Sequence, residues 1–242
     1  MKKIILYITV LMLSSCTNDT NIDEVFTDFT VSAQEVSADG QSTVNLSVTL
    51  NGDTDSDRRN VVFKTSSGVF LPAAAESTVV KSEYENGRLI AKATLKVSTK
   101  TGIITVSVKP EYDSPVGEYV LEKTITALPS VASTIDLQSS ALGIGSNYLT
   151  EVQFIGNLRN SSGKFVSSGH KVIFKDFLSD GTPANGSFRD IQAQTGADSK
   201  VSCYYAAALY PVGTTIEIKC ILLDENNLPN NVSDSVILTI NQ

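Results

Sequence analysis

Strict alternation of apolar and polar residues is the feature that most limits the folds open to this chain. Val44, Leu46, Val48 and Leu50 are separated by single polar residues, and the stretch from Leu89 to Val97 repeats the pattern. A period of two places the apolar side chains on one face of a β-strand. Short alternating segments divided by Gly, Asn, Asp and Pro turns are typical of an all-β sandwich. The sequence therefore predicts an all-β fold.

The same landmarks occur twice along the chain. The triplet Val61-Val-Phe63 is matched by Val172-Ile-Phe174, 111 residues later. Glycines that precede two alternating strands recur at nearly the same offset: Gly87 with Gly196, and Gly102 with Gly213. A constant offset of this size predicts two copies of a module of about 100 residues. The boundary is predicted at Ala127-Leu-Pro-Ser130, where a proline follows a strand.

The order of these landmarks resembles the bacterial immunoglobulin-like domains of the invasin and intimin type. The segment Ala38-Asp-Gly40, followed by Ser42, is similar to the opening of that family, whereas Leu142-Gly-Ile-Gly145 departs from it. The resemblance implies two tandem immunoglobulin-like β-sandwiches, residues 27–127 and 130–242. Neither has the buried tryptophan of antibody domains, because the chain contains no Trp.

The N-terminus has the composition of an export signal. Lys2 and Lys3 precede ten mostly apolar residues, 4–13, which is half of the roughly 20 residues that a transmembrane helix needs. Leu13-Ser-Ser-Cys16 resembles the lipobox of bacterial lipoproteins. That resemblance implies a signal peptide of residues 1–15, cleavage before Cys16 and acylation of Cys16, which would anchor the chain in a membrane. The alternative is an ordinary secretory signal with a chance cysteine.

Residues 16–26 are predicted to form a flexible tether, because they are polar and acidic and lack hydrophobic periodicity. Thr17 stands where many inner-membrane lipoproteins have Asp, which favours the outer membrane. Asp19, Asp23 and Glu24 resemble the surface-export signal of Bacteroidota lipoproteins. The resemblance implies an outer-membrane lipoprotein exposed at the cell surface.

Cys203 and Cys220 flank the turn at residues 210–213. In a hairpin symmetric about this turn they face each other, and the neighbouring pairs are also apolar: Val201 with Leu222, Tyr205 with Ile218, and Ala207 with Ile216. Exported proteins fold in oxidising surroundings, so this register predicts a cross-strand disulfide. The alternative is a pair of buried thiols that pack as small apolar side chains.

Asp53, Asp55 and Asp57 form a weak candidate metal site. Alternate carboxylates can converge on Ca²⁺, but Arg58 and Lys64 stand where an EF-hand loop has its glycine and its final glutamate. A solvated turn is the preferred interpretation.

Enzymatic chemistry is not expected, and no cofactor is predicted. His170, the single histidine, stands just before a strand and is interpreted as a turn residue. A G-x-S-x-G motif is absent. Paired carboxylates for glycoside hydrolysis are not excluded by counting, yet two small sandwiches offer little depth for a substrate cleft. A net charge of −7 argues against a nucleic-acid partner.

Tyr204 and Tyr210 are the predicted binding residues, because they lie near one turn and alternation directs Tyr204 outward and Tyr205 inward. Two functions compete. One is a protein-binding scaffold, either an accessory subunit of an outer-membrane complex or an adhesin. The other is a glycan-binding accessory lipoprotein of a polysaccharide-uptake system. With 7% aromatic residues and no Trp, the sequence favours protein contacts over sugar stacking.

Overall fold

The computed structural model describes residues 25–112 and 119–241. Within these ranges the chain forms eighteen β-strands and one short 3-10 turn, Ser56–Arg58. They build two tandem β-sandwiches, which confirms the predicted all-β fold. No helix in the described ranges is long and apolar enough to cross a membrane.

The first module contains ten strands: β1 (Phe26–Val31), β2 (Glu35–Ser37), β3 (Thr43–Leu50), β4 (Asn60–Thr65), β5 (Val69–Leu71), β6 (Ser77–Lys81), β7 (Glu83–Glu85), β8 (Arg88–Lys96), β9 (Gly102–Pro110) and β10 (Leu121–Leu128). One sheet has the order β1-β3-β8-β5, with β7 also paired to β8. The opposite sheet has the order β2-β10-β9-β4-β6.

The second module contains eight strands: β11 (Thr134–Ser139), β12 (Gly143–Ile144), β13 (Val152–Arg159), β14 (Val172–Leu178), β15 (Ser187–Gln192), β16 (Lys200–Ala206), β17 (Thr215–Leu223) and β18 (Pro229–Ile240). Its sheets have the orders β11-β13-β16-β15 and β12-β18-β17-β14.

Both modules share an arrangement of eight strands, as the sequence repeat predicts, and β6 and β7 of the first module have no counterpart in the second. In each, a short early strand pairs in parallel with the last strand, β2 with β10 and β12 with β18. The repeated triplets lie in the equivalent strands β4 and β14, which pair with β9 and β17 respectively. The repeat in sequence is therefore a repeat in strand order.

Each module has its own hydrophobic core between its two sheets. The alternating residues of β3 and β8 face this core, with Val44, Val48 and Leu95 fully buried. One cluster of buried side chains extends from residue 25 to 127 and the other from 132 to 240. Burial of a Val or Leu side chain contributes about 1.5–3 kcal/mol, so these clusters are the main source of stability.

The predicted hairpin around residues 210–213 is wrong. β16 pairs with β13 and β15, whereas β17 pairs with β14 and β18, so the connection at residues 207–214 crosses from one sheet to the other. The inner faces of both strands point into the same core. The apolar residues of β16 therefore face those of β17 across the core, in the same order in which they would face each other in a hairpin.

Cys203 and Cys220 lie on these opposing inner faces, and both are buried free thiols in the structure. The hairpin register from which the cross-strand disulfide was predicted is wrong, because β16 and β17 are not neighbours in a sheet, and the structure holds both cysteines as free thiols. Burial raises the pKa of each thiol to about 12. Their packing as small apolar side chains matches the alternative interpretation.

Residues 129–133 connect the modules and are fixed by hydrogen bonds. The Ser130 amide donates to Ser167 Oγ over 2.7 Å, and Ser130 Oγ donates to the Phe165 carbonyl over 2.9 Å. His170 Nε2 lies 3.0 Å from the Ser130 carbonyl. The histidine before β14 therefore holds the connection in place.

The contact between the modules contains several polar pairs, and the Phe165 ring of the second module also lies against Gly40 of the first. Ser167 Oγ donates to the Ala38 carbonyl over 3.1 Å, and the Ser168 amide donates to the Thr99 carbonyl over 2.9 Å. Lys164 Nζ lies 3.3 Å from Asp39 Oδ2, in an ion pair across the contact. Every buried side-chain nitrogen and oxygen in the described ranges has a partner. We call this contact the junction.

Candidate functional site

The site begins with an equivalence between the ends of the two modules. In the first module, the loops 38–42 and 97–101 follow β2 and β8 and meet the second module at the junction. In the second module, the corresponding loops 145–151 and 207–214 follow β12 and β16. They lie at the end of the second module that points away from the junction. We call residues 140–151 and 207–214 the tip.

The tip exposes five large apolar side chains. They are between 51% and 75% exposed: Leu142, Tyr148, Leu149, Leu209 and Val212. Exposed apolar side chains scattered singly are ordinary, but a concentration at one end of a domain marks an interaction surface. The one acidic side chain beside them, Glu151, forms an ion pair with Arg189.

Hydrogen bonds hold the two tip loops together. Ser146 Oγ accepts from the Tyr210 amide over 2.9 Å and donates to the Tyr210 carbonyl over 3.0 Å. The Tyr148 amide donates to the Ala207 carbonyl over 2.8 Å. The exposed side chains are therefore presented by an ordered backbone, and less conformational entropy is lost when a partner binds.

Tyr148 adopts a backbone conformation that side chains of its size rarely take. Its φ is +58°, and Asn147 before it has the same value. For a bulky residue the left-handed region costs about 1–3 kcal/mol. Strain of this kind persists where the surroundings fix it, and it turns the Tyr148 ring outward at the tip.

A hydrogen bond between buried Tyr205 and half-buried Asp176 lies next to the tip. Tyr205 OH donates to Asp176 Oδ2 over 2.9 Å, and the Gly186 amide donates to the same oxygen over 2.6 Å. A Cβ at Gly186 would lie 2.3 Å from the Tyr205 oxygen, so only glycine fits there. Burial, together with the charge of Asp176, raises the pKa of Tyr205 above its usual range.

The structure separates the two tyrosines predicted to bind. Tyr204 is exposed on β16, between Gln153 and Arg189 of the neighbouring strands, so it lies outside the tip loops but next to the ion pair of Glu151 with Arg189. Tyr210 lies in the tip, but it is half-buried and its hydroxyl donates to the Ala184 carbonyl over 2.8 Å. Tyr210 therefore stabilises the loop, and Leu209 and Val212 beside it carry the exposed surface.

Sequence reasoning missed Leu142, Tyr148, Leu149 and Leu209 as surface residues. A usable signal was present, since these large apolar residues stand in Gly- and Asn-containing segments outside the alternation of the strands. Apolar residues in such loops have no inward face to occupy.

The remaining predicted positions lie elsewhere. Asp53, Asp55 and Asp57 are exposed in the turn that precedes β4. Asp57 lies within the short 3-10 segment of that turn, Ser56–Arg58. In residues 25–112 and 119–241, no group of three or more His, Cys, Asp or Glu side chains is arranged to hold a metal ion. Cys16 and residues 17–24 of the predicted tether lie outside the described residues, so acylation at Cys16 stays a prediction. The tether prediction is wrong for its last two residues, because Val25 and Phe26 are buried in the core of the first module and Phe26 begins β1.

Comparison with known proteins identifies the fold. Invasin, described as a bacterial integrin-binding protein, matches with a TM-score of 0.52 and 16% identity over 88% of this chain and 38% of its own. The chain has an invasin-like fold. The adhesin InvE of Yersinia pseudotuberculosis matches 90% of this chain with a TM-score of 0.46 and 16% identity. This chain spans 61% of InvE. No family model and no curated protein sequence matches.

Proposed function

We propose that this chain is a non-enzymatic binding module, anchored by lipid at Cys16 in the bacterial outer membrane and exposed at the cell surface. Its tip contacts a protein partner. In this role it serves either as an accessory subunit of an outer-membrane complex or as an adhesin.

The observation that carries the proposal is the exposed apolar surface of the tip. Its five side chains gain nothing from folding in their exposed positions, whereas covering them would be favourable by about 25 cal/mol per Å² of apolar surface. The equivalent loops of the first module are covered by a second protein surface, the second module. This supports end-on contact as the way the tip is used.

The invasin-like fold is consistent with such a role, since invasin itself is described as binding integrin. A shared fold supports many functions, so the assignment depends on the tip and not on the likeness. The junction supports the same role, because a fixed junction holds the tip at a constant distance and angle from the first module.

The anchoring part of the proposal is tested by Cys16→Ala in the full-length protein. Two or three acyl chains give stable membrane attachment, so the variant should move from the membrane fraction to the soluble fraction. Cys203→Ala serves as the matched control and should stay in the membrane fraction. Membrane retention of Cys16→Ala would show that another feature holds the chain.

The binding part is tested with Leu209→Ser combined with Val212→Ser. The full-length protein is purified from its native membranes in mild detergent, and co-purifying envelope proteins are quantified by mass spectrometry. The tip variant should lose its partner by about tenfold, equivalent to about 1.4 kcal/mol. Leu228→Ser is the control, because Leu228 is 60% exposed in a turn at the other end of the module. An equal loss of the partner in both variants would show that the tip is not the binding surface.

A second measurement distinguishes an accessory subunit from an adhesin. An accessory subunit should co-purify with a protein of its own outer membrane, whereas an adhesin should bind cells or matrix that lack the chain. Cells that display the full-length protein should then adhere less after the Leu209→Ser and Val212→Ser changes.

A further inference from the structure

A cleft of about 410 Å³ opens beside the junction, well away from the tip. The turn 66–69 and the segment 96–100 of the first module form most of its wall, and Ala197 of the second module closes one side. Its volume falls within the roughly 300–1,000 Å³ of small-molecule sites. The site is complete only when the two modules are docked.

The shape of this cleft is fixed by its backbone. Gly68 has a φ of +84°, and a Cβ there would lie 2.5 Å from the Lys96 carbonyl oxygen. The turn 66–69 therefore packs directly on the end of β8. On the other side, the Thr99 and Ser168 hydroxyls lie 2.7 Å apart and join the two modules at the edge of the cleft.

Four residues of the lining carry hydroxyl groups: Ser66, Ser67, Ser98 and Thr99. Ser67 Oγ and Ser98 Oγ lie 2.8 Å apart, and Ser66 Oγ accepts from the Thr105 amide over 2.9 Å. A hydroxyl has one proton and two lone pairs, so Ser66 retains a proton to donate and the serine pair retains lone pairs. Such a surface complements a ligand that carries several hydroxyls of its own.

The charge of the cleft is opposite to that of the chain. Lys96 and Lys100 line it together with a single carboxylate, Glu76, although the whole chain has a net charge of −7. Neither lysine forms an ion pair with another described residue, in contrast to Lys92, which pairs with Glu85. A ligand with one negative charge satisfies the two ammonium groups, and its hydroxyls can donate to Glu76.

We propose that this cleft binds a carboxylated sugar, such as a uronic acid unit of an acidic glycan. The lining contains no aromatic side chain, so the ligand is held by charge and hydrogen bonds and not by ring stacking. A phosphate group fits less well, because arginine is absent from the lining and Glu76 would repel the two charges that one phosphate group concentrates, whereas each uronic acid unit carries one.

The first experiment is isothermal titration of the full-length protein in detergent micelles. Digalacturonate, neutral digalactose and a triglutamate peptide are the probes. Digalacturonate should bind, and digalactose should bind about tenfold more weakly because it lacks the carboxylates. Equal binding of the neutral sugar would overturn the charge argument. Tighter binding of the peptide, or no binding of digalacturonate at about 10 mM, would overturn the sugar assignment.

The second experiment locates the site. Lys96→Gln combined with Lys100→Gln should weaken digalacturonate binding by about tenfold or more, equivalent to about 1.4 kcal/mol. Lys123→Gln, an exposed lysine on β10 that does not line the cleft, should leave it unchanged. Ala197→Glu adds a negative charge from the second module and should weaken binding comparably. Normal binding by Ala197→Glu would show that the junction takes no part.

The cleft and the tip are independent, and the same titrations separate them. Leu209→Ser with Val212→Ser should bind digalacturonate as the wild type does. Partner capture should in turn survive Lys96→Gln with Lys100→Gln, so failure of either proposal leaves the other intact.

Discussion

The equivalent ends of the two modules differ sharply in chemistry. Loops 38–42 and 97–101 of the first module meet the second module through hydroxyls, carbonyls and the Asp39–Lys164 ion pair. Loops 145–151 and 207–214 of the second module occupy the same topological position but present Tyr148, Leu149, Leu209 and Val212. One position in the fold therefore has two different surfaces, one covered within the chain and one exposed.

The difference indicates what each end does. A buried polar contact contributes little net affinity, but it fixes one geometry, because any other arrangement leaves polar groups unpaired. An exposed apolar surface is non-directional and favours association with whatever covers it. The junction thus sets the relative position of the modules, and the tip supplies binding.

The largest effect is expected for Asp39→Ala at the junction. Asp39 is 1% exposed and accepts hydrogen bonds from the amides of Gln41 and Ser42 and from the Ser42 hydroxyl. Its removal takes the acceptor from the donors of exposed Gln41 and half-buried Ser42, and the free energy of unfolding should fall by about 2–3 kcal/mol. The Lys164 share is small, because that side chain is 41% exposed. Urea unfolding of the full-length protein measures the change.

Asp28→Ala is the control for this variant, because Asp28 is exposed on β1 of the same module. It should change the unfolding free energy by less than about 0.5 kcal/mol. A similarly small effect of Asp39→Ala would mean that these hydrogen bonds do not hold the loop 38–42 that meets the second module.

Acid should weaken the junction for the same reason. Burial acts to raise the pKa of Asp39, but the hydrogen bonds from Ser42, Gln41 and Lys164 outweigh it, so the pKa lies below its ordinary value of 3.8. The contribution of Asp39 is therefore complete above pH 3.8 and is lost as the pH falls through the lowered folded value. Urea unfolding of the full-length protein should show the free energy of unfolding falling between pH 5 and pH 2. Asp39→Asn should remove this decrease, and an unchanged decrease would assign it to other groups.

Local patterns predicted some of these features and not others. The inward positions of β3 and β8 follow from a period of two, which neighbouring residues determine on their own. The β16–β17 pairing failed because Cys203 and Cys220 match equally well across a core and across a hairpin, and periodicity does not distinguish the two. The junction was not predicted either, because Lys164 lies 122 residues from its partner Ser42 and no local pattern connects them. At the tip, the sequence predicted the correct turn but the wrong residue, because Tyr210 is half-buried and Leu209 beside it is exposed.

A smaller effect is expected at the strained residue of the tip. Tyr148→Gly removes the cost of a φ of +58°, but glycine loses more backbone entropy on folding. The two terms together should stabilise the full-length protein by about 0.5–1 kcal/mol in thermal unfolding. Partner capture should nevertheless fall, since the exposed ring is lost. Tyr148 OH also donates to the Asn185 carbonyl over 3.4 Å. A less stable Tyr148→Gly variant would show that this contact of the side chain stabilises the fold by more than the backbone strain costs.

The smallest effect on stability is expected where the effect on binding is largest. Leu209 and Val212 are 75% and 70% exposed, so replacing both with serine removes almost no buried apolar surface. The unfolding free energy should change by less than about 0.5 kcal/mol, whereas partner capture falls about tenfold. The same substitution at a covered apolar position, Val97→Ser beside the junction, should instead cost about 2 kcal/mol or more, because Val97 is buried. If the tip variant lost as much stability as Val97→Ser, these side chains would belong to the core of the second module, and the contrast between the two ends would not hold.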